Sequence, residues 1–426
     1  MPVTRRADGT LALGGVSLAE VAADSRAGTP SYVYDLDAIA NEARELHAAF
    51  EAAPHVVHYA VKANSAPTII RTLAAEGCGA DVVSGAELEL AHRCGIDAGR
   101  IVYSGVAKSD EELDLALAVG ANGIKAIVAE SVEELARIAA RATAASRVAS
   151  VSIRINPGVD AEALDTHSYI ATGHDDAKFG VAVSRIGDAL DVIARSPSLR
   201  LVGLNAHVGS QFTTLDPYLA GAKTLFGLAR EVRTRFPLAF VDSGGGFGID
   251  YGDGCAVRPA DFIRATRVLQ REFGLDDLML GCEPGRALVA AHGVVLSRVI
   301  QRKAGAGQRR WTIIDAGMND LLRPALYQAR HRIVPVHMPS GAVNGPWRVV
   351  GPVCESSDDF GMHDLPEGEV DLVAILDAGA YGYSMASRYN GRALPAEVFV
   401  RDGAIAQVVS RKPLLAWVEE RLAETA

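Results

Sequence analysis

The sequence predicts an α/β protein. Residues 35–290 form a (β/α)8 TIM-type barrel, and residues 1–34 and 291–426 form a second, mostly β domain. Three observations predict it. Between residues 35 and 290, strand-like and helix-like runs alternate, eight of each. The strand-like runs are short and mostly apolar, as expected where a parallel sheet is covered on both faces. Beyond about residue 290 long helical runs become sparse, and β-type segments separated by Gly- and Pro-rich turns take over. A doubly wound open sheet is the competing architecture, and the count of eight favours the barrel.

The elements follow in order. Leu11-Ala12-Leu13 reads as a short strand, and Tyr32-Val33-Tyr34 leads into a helix over 36–50 started by Asp35 or Asp37. Strands are expected at 56–60, 80–83, 101–103, 125–128, 150–155, 202–207, 238–242 and 278–282. Helices are expected at 67–76, 85–94, 110–119, 132–142, 183–195, 215–235 and 260–273. Three helix starts carry the pattern of a reciprocal capping box: Ser84 with Glu87, Ser109 with Glu112, and Ser131 with Glu134. Gly95 and Gly120 suit helix exits. In the second domain, strands are expected at 294–300, 311–314, 332–336, 347–350 and 370–375. A hairpin turns at Asp402-Gly403, and a helix runs over 413–422.

Bulk properties narrow the function. A 426-residue chain with 49% hydrophobic residues is long enough for two domains. Its net charge of −10 argues against nucleic acid and anionic membranes as partners. No apolar run is long enough to span a bilayer, and residues 1–10 lack an apolar signal core. The five cysteines are scattered, with no C-x-x-C pair, so neither a disulfide framework nor a metal site is indicated. A reducing cytoplasm is the simplest setting.

Chemistry concentrates where strands end. Lys62 follows the run Val56–Ala60 and precedes a helix opened by Pro67. Burial disfavours an ammonium and frees the amine as a nucleophile, as a Schiff-base lysine requires. The alternative is a lysine that reaches solvent or pairs with a carboxylate. Strand six ends in Asn205-Ala-His207-Val-Gly-Ser210-Gln211, strand seven in Asp242-Ser-Gly244-Gly245-Gly246, and strand eight in Cys282-Glu283-Pro-Gly-Arg286. The glycine run is either a flexible turn or a phosphate cradle, and barrels place phosphate sites after strand seven. His207 is either a satisfied core histidine or a ring that stacks on a flat ligand. Glu283 either pairs with Arg286 or holds a protonated ring nitrogen. Together these parts suit one cofactor, pyridoxal 5′-phosphate: an aldehyde on a lysine, a phosphate on glycines and a pyridinium on a carboxylate.

The motifs also resemble a known family, the fold-type III pyridoxal-phosphate decarboxylases. The segments that carry the resemblance are Tyr59–Asn64, Asp81–Gly85, His167–Gly173, Lys178–Gly180, His207–Gln211, Gly244–Gly248, Glu283–Arg286, Leu322–Tyr327, Cys354–Ser356 and Gly379–Gly382. They span residues 59–382 in family order. The resemblance is strongest to the branch that converts meso-2,6-diaminopimelate to L-lysine, the last step of lysine biosynthesis. It implies an alanine-racemase-like two-domain architecture and the following roles. Lys62 carries the cofactor aldehyde. His207 stacks on its ring, and Glu283 pairs with the ring nitrogen. Ser210, Gly244, Gly245, Gly246 and Tyr381 hold the phosphate. Arg286, Arg323 and Tyr327 bind the distal end of the substrate. Cys354 and Glu355 reach the active site of the other subunit of a homodimer, with Cys354 and Lys62 as candidate proton donors to Cα. Ser357, Gln328 and Arg330 depart from the family pattern and bear on substrate tuning. The His167–Gly180 segment contains glycines, and the sequence leaves open whether a loop near 165–180 closes over the site.

Overall fold

Parallel strands need a crossover long enough for a helix, and the alternation of apolar runs supplies one between each pair. In the computed structural model, described over residues 3–158, 177–255, 257–305, 309–338 and 341–424, eight such strands close into a barrel. They are β1 His55–Ala60, β2 Gly79–Val82, β3 Ile101–Tyr103, β4 Ala126–Ala129, β5 Ala149–Asn156, β6 Leu199–Ala206, β7 Phe240–Asp242 and β8 Met279–Cys282. Each pairs in parallel with its neighbour, and β8 returns to β1 through Leu280↔His55, Gly281↔Val56 and Cys282↔Val57. The expected (β/α)8 barrel is therefore present. The short strand Val181–Ala182 adds to β5 outside the closed ring.

Eight helices alternate with these strands: α1 Leu36–Ala49, α2 Pro67–Ala75, α3 Gly85–Arg93, α4 Asp110–Ala118, α5 Val132–Ala144, α6 Ile186–Arg195, α7 Asp216–Val232 and α8 Pro259–Glu272. Asp35 starts α1, its Oδ1 accepting the Ala38 N–H at 3.0 Å. Of the three expected capping boxes, only that of α4, between Ser109 and Glu112, is fully reciprocal. At α3 and α5 the serine caps the helix, but the glutamate turns elsewhere. Glu87 accepts from Val83 N–H at 2.9 Å, and Glu134 accepts from Glu130 N–H at 2.8 Å. Glu134 is diverted because it also lies 3.2 Å from the buried ammonium of Lys108, and an ionic partner outweighs a second cap bond. The helix expected from 183 opens as a 3-10 turn, Val183–Arg185, and becomes α-helical at Ile186.

The floor of the barrel is apolar. Val102, Ala126, Val128 and Phe240 form one buried cluster. A Cβ on Gly203 would overlap the Phe240 ring, so glycine makes room for phenylalanine.

By compactness the chain divides into two units. One holds Asn41–Ile249 and Cys255–Leu288, and the other holds Met1–Ala40, Asp250–Gly254 and Val289–Ala426. The second unit is mostly β. Its main sheet runs in the order Asp359–Pro366, Asn344–Val350, Arg310–Ile314, Gly293–Ala304, Ser31–Asp35, Ala396–Arg401, Ala404–Val409. Strand Ile333–Pro335 pairs with Leu372–Ile375, which pairs with Gly293–Ala304. The hairpin at Asp402-Gly403 has φ of 50° and 71° at its two turn residues, the left-handed pair that a two-residue turn needs. The strand Asp359–Pro366 was not expected, because its sequence is polar and broken by Gly361. Antiparallel pairing with Asn344–Val350 creates it. All five cysteines are free, and no helix among the described residues is long and apolar enough to cross a membrane.

One buried group of this unit makes stability depend on pH. Glu397 is 5% exposed, and its Oε1 has no hydrogen-bond partner among the described residues. Burial pushes its pKa from an ordinary 4.5 up to about 7, with the Tyr34 hydroxyl opposing the shift. Between those values the unfolded chain loses the proton that the folded chain keeps. Stability therefore falls as pH rises through this window, by up to ~3 kcal/mol, and does not recover above it. Glu397→Gln is expected to leave the melting temperature at pH 4 unchanged and to raise it by several degrees at pH 8. Scanning calorimetry at the two pH values checks this, and equal shifts at both would refute it.

Candidate active site

Parallel register places polar residues of different strands side by side. Arg154 on β5 pairs with Asn205 on β6, and Asn205 pairs with Asp242 on β7. Residues in register point to the same face, so a polar row crosses three strands at their carboxyl ends. Asp81 on β2 and the residues just past β1, β4 and β8 complete the rim.

Lys62 lies in a 3-10 turn, Val61–Ala63, directly after β1. Its Nζ is 2.7 Å from Oδ2 of Asp81, which is fully buried. The second oxygen of Asp81, Oδ1, is buried with no partner among the described residues. Of the two readings of Lys62, the structure thus shows a carboxylate partner, at the mouth of the barrel.

Glu283 follows β8 and is 5% exposed. Asn205 Nδ2 donates to its Oε1 at 2.8 Å. Burial raises its pKa well above the ordinary range, and the charges of Asp81 and Asp242 add to the shift. Glu283 does not pair with Arg286, which instead donates to Ser210 Oγ at 3.0 Å.

His207 follows β6. The Gly245 N–H donates to its Nδ1 at 3.1 Å, which assigns the ring proton to Nε2. Burial, with the charges of Arg154 and Lys62, holds its pKa well below the usual histidine range. His207 is therefore neutral, and its 3.7 Å approach to Glu283 is not an ion pair.

The glycine run packs under close constraint. A Cβ on Gly244 would overlap the Ala206 carbonyl, one on Gly245 the Glu283 carbonyl, and one on Gly246 the Gly209 carbonyl. Gly244 and Gly246 have φ of +74° and +91°, which side chains disfavour. Gly244 N–H donates to Asp242 Oδ1 at 2.9 Å and Gly245 N–H to His207, which leaves the Gly246 N–H uncommitted among the described residues. Asp242 Oδ2 in turn sits 2.8 Å from His58 Nδ1, fully buried. Tyr218 donates to Ser243 Oγ at 2.8 Å and supports the run from below.

Four residues of this rim carry no role from sequence reasoning: Asp81, Glu130, Arg154 and Asn205. Arg154 Nη1 is 3.1 Å from Glu130 Oε1, and its Nη2 donates to the His207 carbonyl at 3.2 Å. Glu130 also accepts from Gly105 N–H and Gly180 N–H, both at 2.9 Å. A signal was available, since charged residues interrupt otherwise apolar strand runs. Their partners are set by register and cannot be read from spacing.

The other expected residues belong to the β unit. Arg323 opens the short helix Arg323–Tyr327 and is 6% exposed. Its Nη1 donates to His331 Nε2 at 2.7 Å, and its guanidinium lies 5.0 Å from the centre of the Tyr251 ring. Tyr327 ends that helix, and Gln328 follows in the left-handed region at φ 53°. Tyr381 is also left-handed, at φ 54°. Cys354 is exposed, and its N–H donates to Asn390 Oδ1 at 3.0 Å. Glu355 accepts from the Tyr389 hydroxyl at 2.6 Å. Buried Asp358 accepts from Val353 N–H and Met318 N–H, both at 2.6 Å, and so pins the turn that carries Cys354. Of the 165–180 segment, residues 165–176 lie outside the described residues, as does the motif His167–Gly173.

Comparison with known proteins agrees with this geometry. The family model described as "Pyridoxal-dependent decarboxylase, pyridoxal binding domain" matches residues 36–290. The chain is 40% identical to the diaminopimelate decarboxylase of Pseudomonas aeruginosa, over 95% of both chains. It is 38% identical to that of Haemophilus influenzae, over 91% of this chain and 92% of the relative. The crystal structure of diaminopimelate decarboxylase from M. jannaschii in co-complex with L-lysine superposes with a TM-score of 0.89 at 32% identity, covering 98% of this chain and 97% of that one. With a closed barrel whose rim carries a lysine, a buried acid and a glycine cradle, this chain belongs to the family of pyridoxal-dependent decarboxylases.

Proposed function

We propose that this protein decarboxylates meso-2,6-diaminopimelate at its D-configured carbon, giving L-lysine, with pyridoxal 5′-phosphate bound at the rim of the barrel. The observation that carries the proposal is the convergence of Lys62, Glu283, His207 and the glycine run at the carboxyl ends of the strands. The names of the relatives supply the substrate class.

The residues of the rim fit such a cofactor. Lys62 supplies the amine, and Asp81 takes up its charge. Glu283, already oriented by Asn205, holds a proton at the ring nitrogen. Neutral His207 presents an aromatic face without adding charge. Gly246 offers a backbone N–H to the phosphate, while Gly244 and Gly245 let the chain pass close to His207 and Glu283. Ser210, fixed by Arg286, supplies a hydroxyl there, and Tyr381 joins it. When bound, the cofactor supplies the electron sink that lets the Cα–carboxylate bond break.

Substrate choice follows from charge. The far end of diaminopimelate bears an ammonium and a carboxylate, so its site needs both signs. Arg286 and Arg323 with Tyr327 grip the carboxylate, and Glu355 faces the ammonium. Cys354 and Lys62 are the candidates that return a proton to Cα. Cys354 and Glu355 serve the active site of the neighbouring subunit in a cytoplasmic homodimer. The functional test is incubation of the purified protein with meso-diaminopimelate and pyridoxal phosphate, with lysine detected chromatographically and a panel of ornithine, arginine and lysine as competitors. Sedimentation of the same preparation should give twice the chain mass. Release of CO2 from ornithine but not from diaminopimelate would overturn the assignment.

Arg323→Ala is expected to lower kcat/KM for diaminopimelate by about 10- to 150-fold, as a lost charge-assisted hydrogen bond implies. Cofactor absorbance should remain. Unchanged kinetics would remove Arg323 from the substrate site.

A further inference from the structure

Gln211 sits where the loops after β6 and β7 meet. Phe212 N–H donates to the Gly246 carbonyl at 2.9 Å, and Gly248 N–H donates to the Phe212 carbonyl at 3.1 Å. This is a one-residue parallel bridge between Phe212 and Phe247. The bridge cannot continue through the main chain, because Gln211 is in the left-handed region at φ 63°, a costly conformation for a residue with a Cβ. Its side chain instead holds Ile249, two residues past the bridged Phe247. Nε2 donates to the Ile249 carbonyl at 2.7 Å, and Oε1 accepts the Ile249 N–H at 3.3 Å. The amide stands in for a peptide group and satisfies both polar atoms of Ile249, as buried or half-buried backbone requires.

The consequence falls on Gly246. Its carbonyl is held by Phe212, and it has no space for a Cβ. From below, Phe247 stacks on Phe262 with ring centres 4.9 Å apart and meets Tyr218 edge-on at 5.4 Å. The direction of the uncommitted Gly246 N–H is thus set by the bridge and by its side-chain extension. A residue in the left-handed region stands at position 211, and its amide closes the loop pair.

We propose that Gln211 is a positioning residue: by pairing its amide with Ile249 it aims the Gly246 N–H at the cofactor phosphate. The proposal rests on the reading of the glycine run as the phosphate site. It predicts a loss confined to the phosphorylated ligand, which general destabilisation would not produce.

The test titrates cofactor-free protein with pyridoxal phosphate and, separately, with pyridoxal, and follows the visible absorbance of the lysine-bound aldehyde. Gln211→Ala is expected to weaken pyridoxal phosphate about tenfold and pyridoxal by less than twofold. Gln211→Gly removes the backbone strain along with the amide and should show the same phosphate-specific loss. Gln211→Glu keeps the acceptor for Ile249 N–H, loses the donor, and should fall between, which preserves the test if the alanine variant folds poorly. Equal losses for both ligands, or none, overturn the proposal. A wild-type protein that does not prefer pyridoxal phosphate to pyridoxal overturns the phosphate reading and this inference with it. A preference of undiminished size in all three variants overturns the inference alone.

Discussion

Lys62→Ala is expected to abolish turnover, by on the order of 10^3-fold or more, because the residue that would hold the reacting aldehyde in place is gone. Dialysed variant should lack the visible band of the lysine-bound aldehyde, and a band that persists would locate the anchor elsewhere. The substitution also has a structural cost. Asp81 is fully buried, and Lys62 Nζ is its partner at 2.7 Å. Removing the lysine leaves a buried carboxylate without its counter-charge. Because the lysine side chain is 35% exposed, the penalty should be ~1–3 kcal/mol, below that of a fully buried pair. The double variant Lys62→Ala, Asp81→Asn separates the two effects. It should recover most of the melting temperature and none of the absorbance.

Glu283→Gln is expected to lower kcat by about 10- to 150-fold while cofactor stays bound. The charge-assisted hydrogen bond that the carboxylate makes to the ring nitrogen is worth roughly 1.5–3 kcal/mol, and the amide does not supply its charge. Asn205 Nδ2 still finds an oxygen on the glutamine, so orientation is preserved and the change isolates charge. Release of CO2 under saturating substrate, beside an absorbance spectrum, checks it. An unchanged kcat would remove Glu283 from the ring nitrogen.

The barrel was legible because its strands are brief apolar runs between helix caps and glycine exits. Seven of the eight expected strands start within two residues of the observed ones, and β6 begins three residues early, at Leu199. There Leu199-Arg200-Leu201 alternates between buried and exposed, so the run looks polar before it turns inward. The strand Asp359–Pro366 was illegible because pairing alone stabilises it. In the site, a lysine, a glutamate and a glycine run at strand ends announce themselves by type. Asp81, Asn205 and Arg154 do not, because their meaning lies in the register Arg154↔Asn205↔Asp242 and in which carboxylate faces Lys62. The capping glutamates mark the same limit, since Glu134 answers to Lys108 across the fold as well as to its own helix.

Glu130 has a practical consequence for anyone rebuilding this enzyme. A single carboxylate just past β4 fastens the segments after β3 and β5, Gly105 and Gly180 through their amides, and β5 itself through Arg154. Loops grafted here to alter selectivity can vary in length and composition, provided each still delivers one amide hydrogen to that oxygen pair. A graft that omits it would leave the arginine under His207 to drift, and the loss would show at a residue the graft never touched.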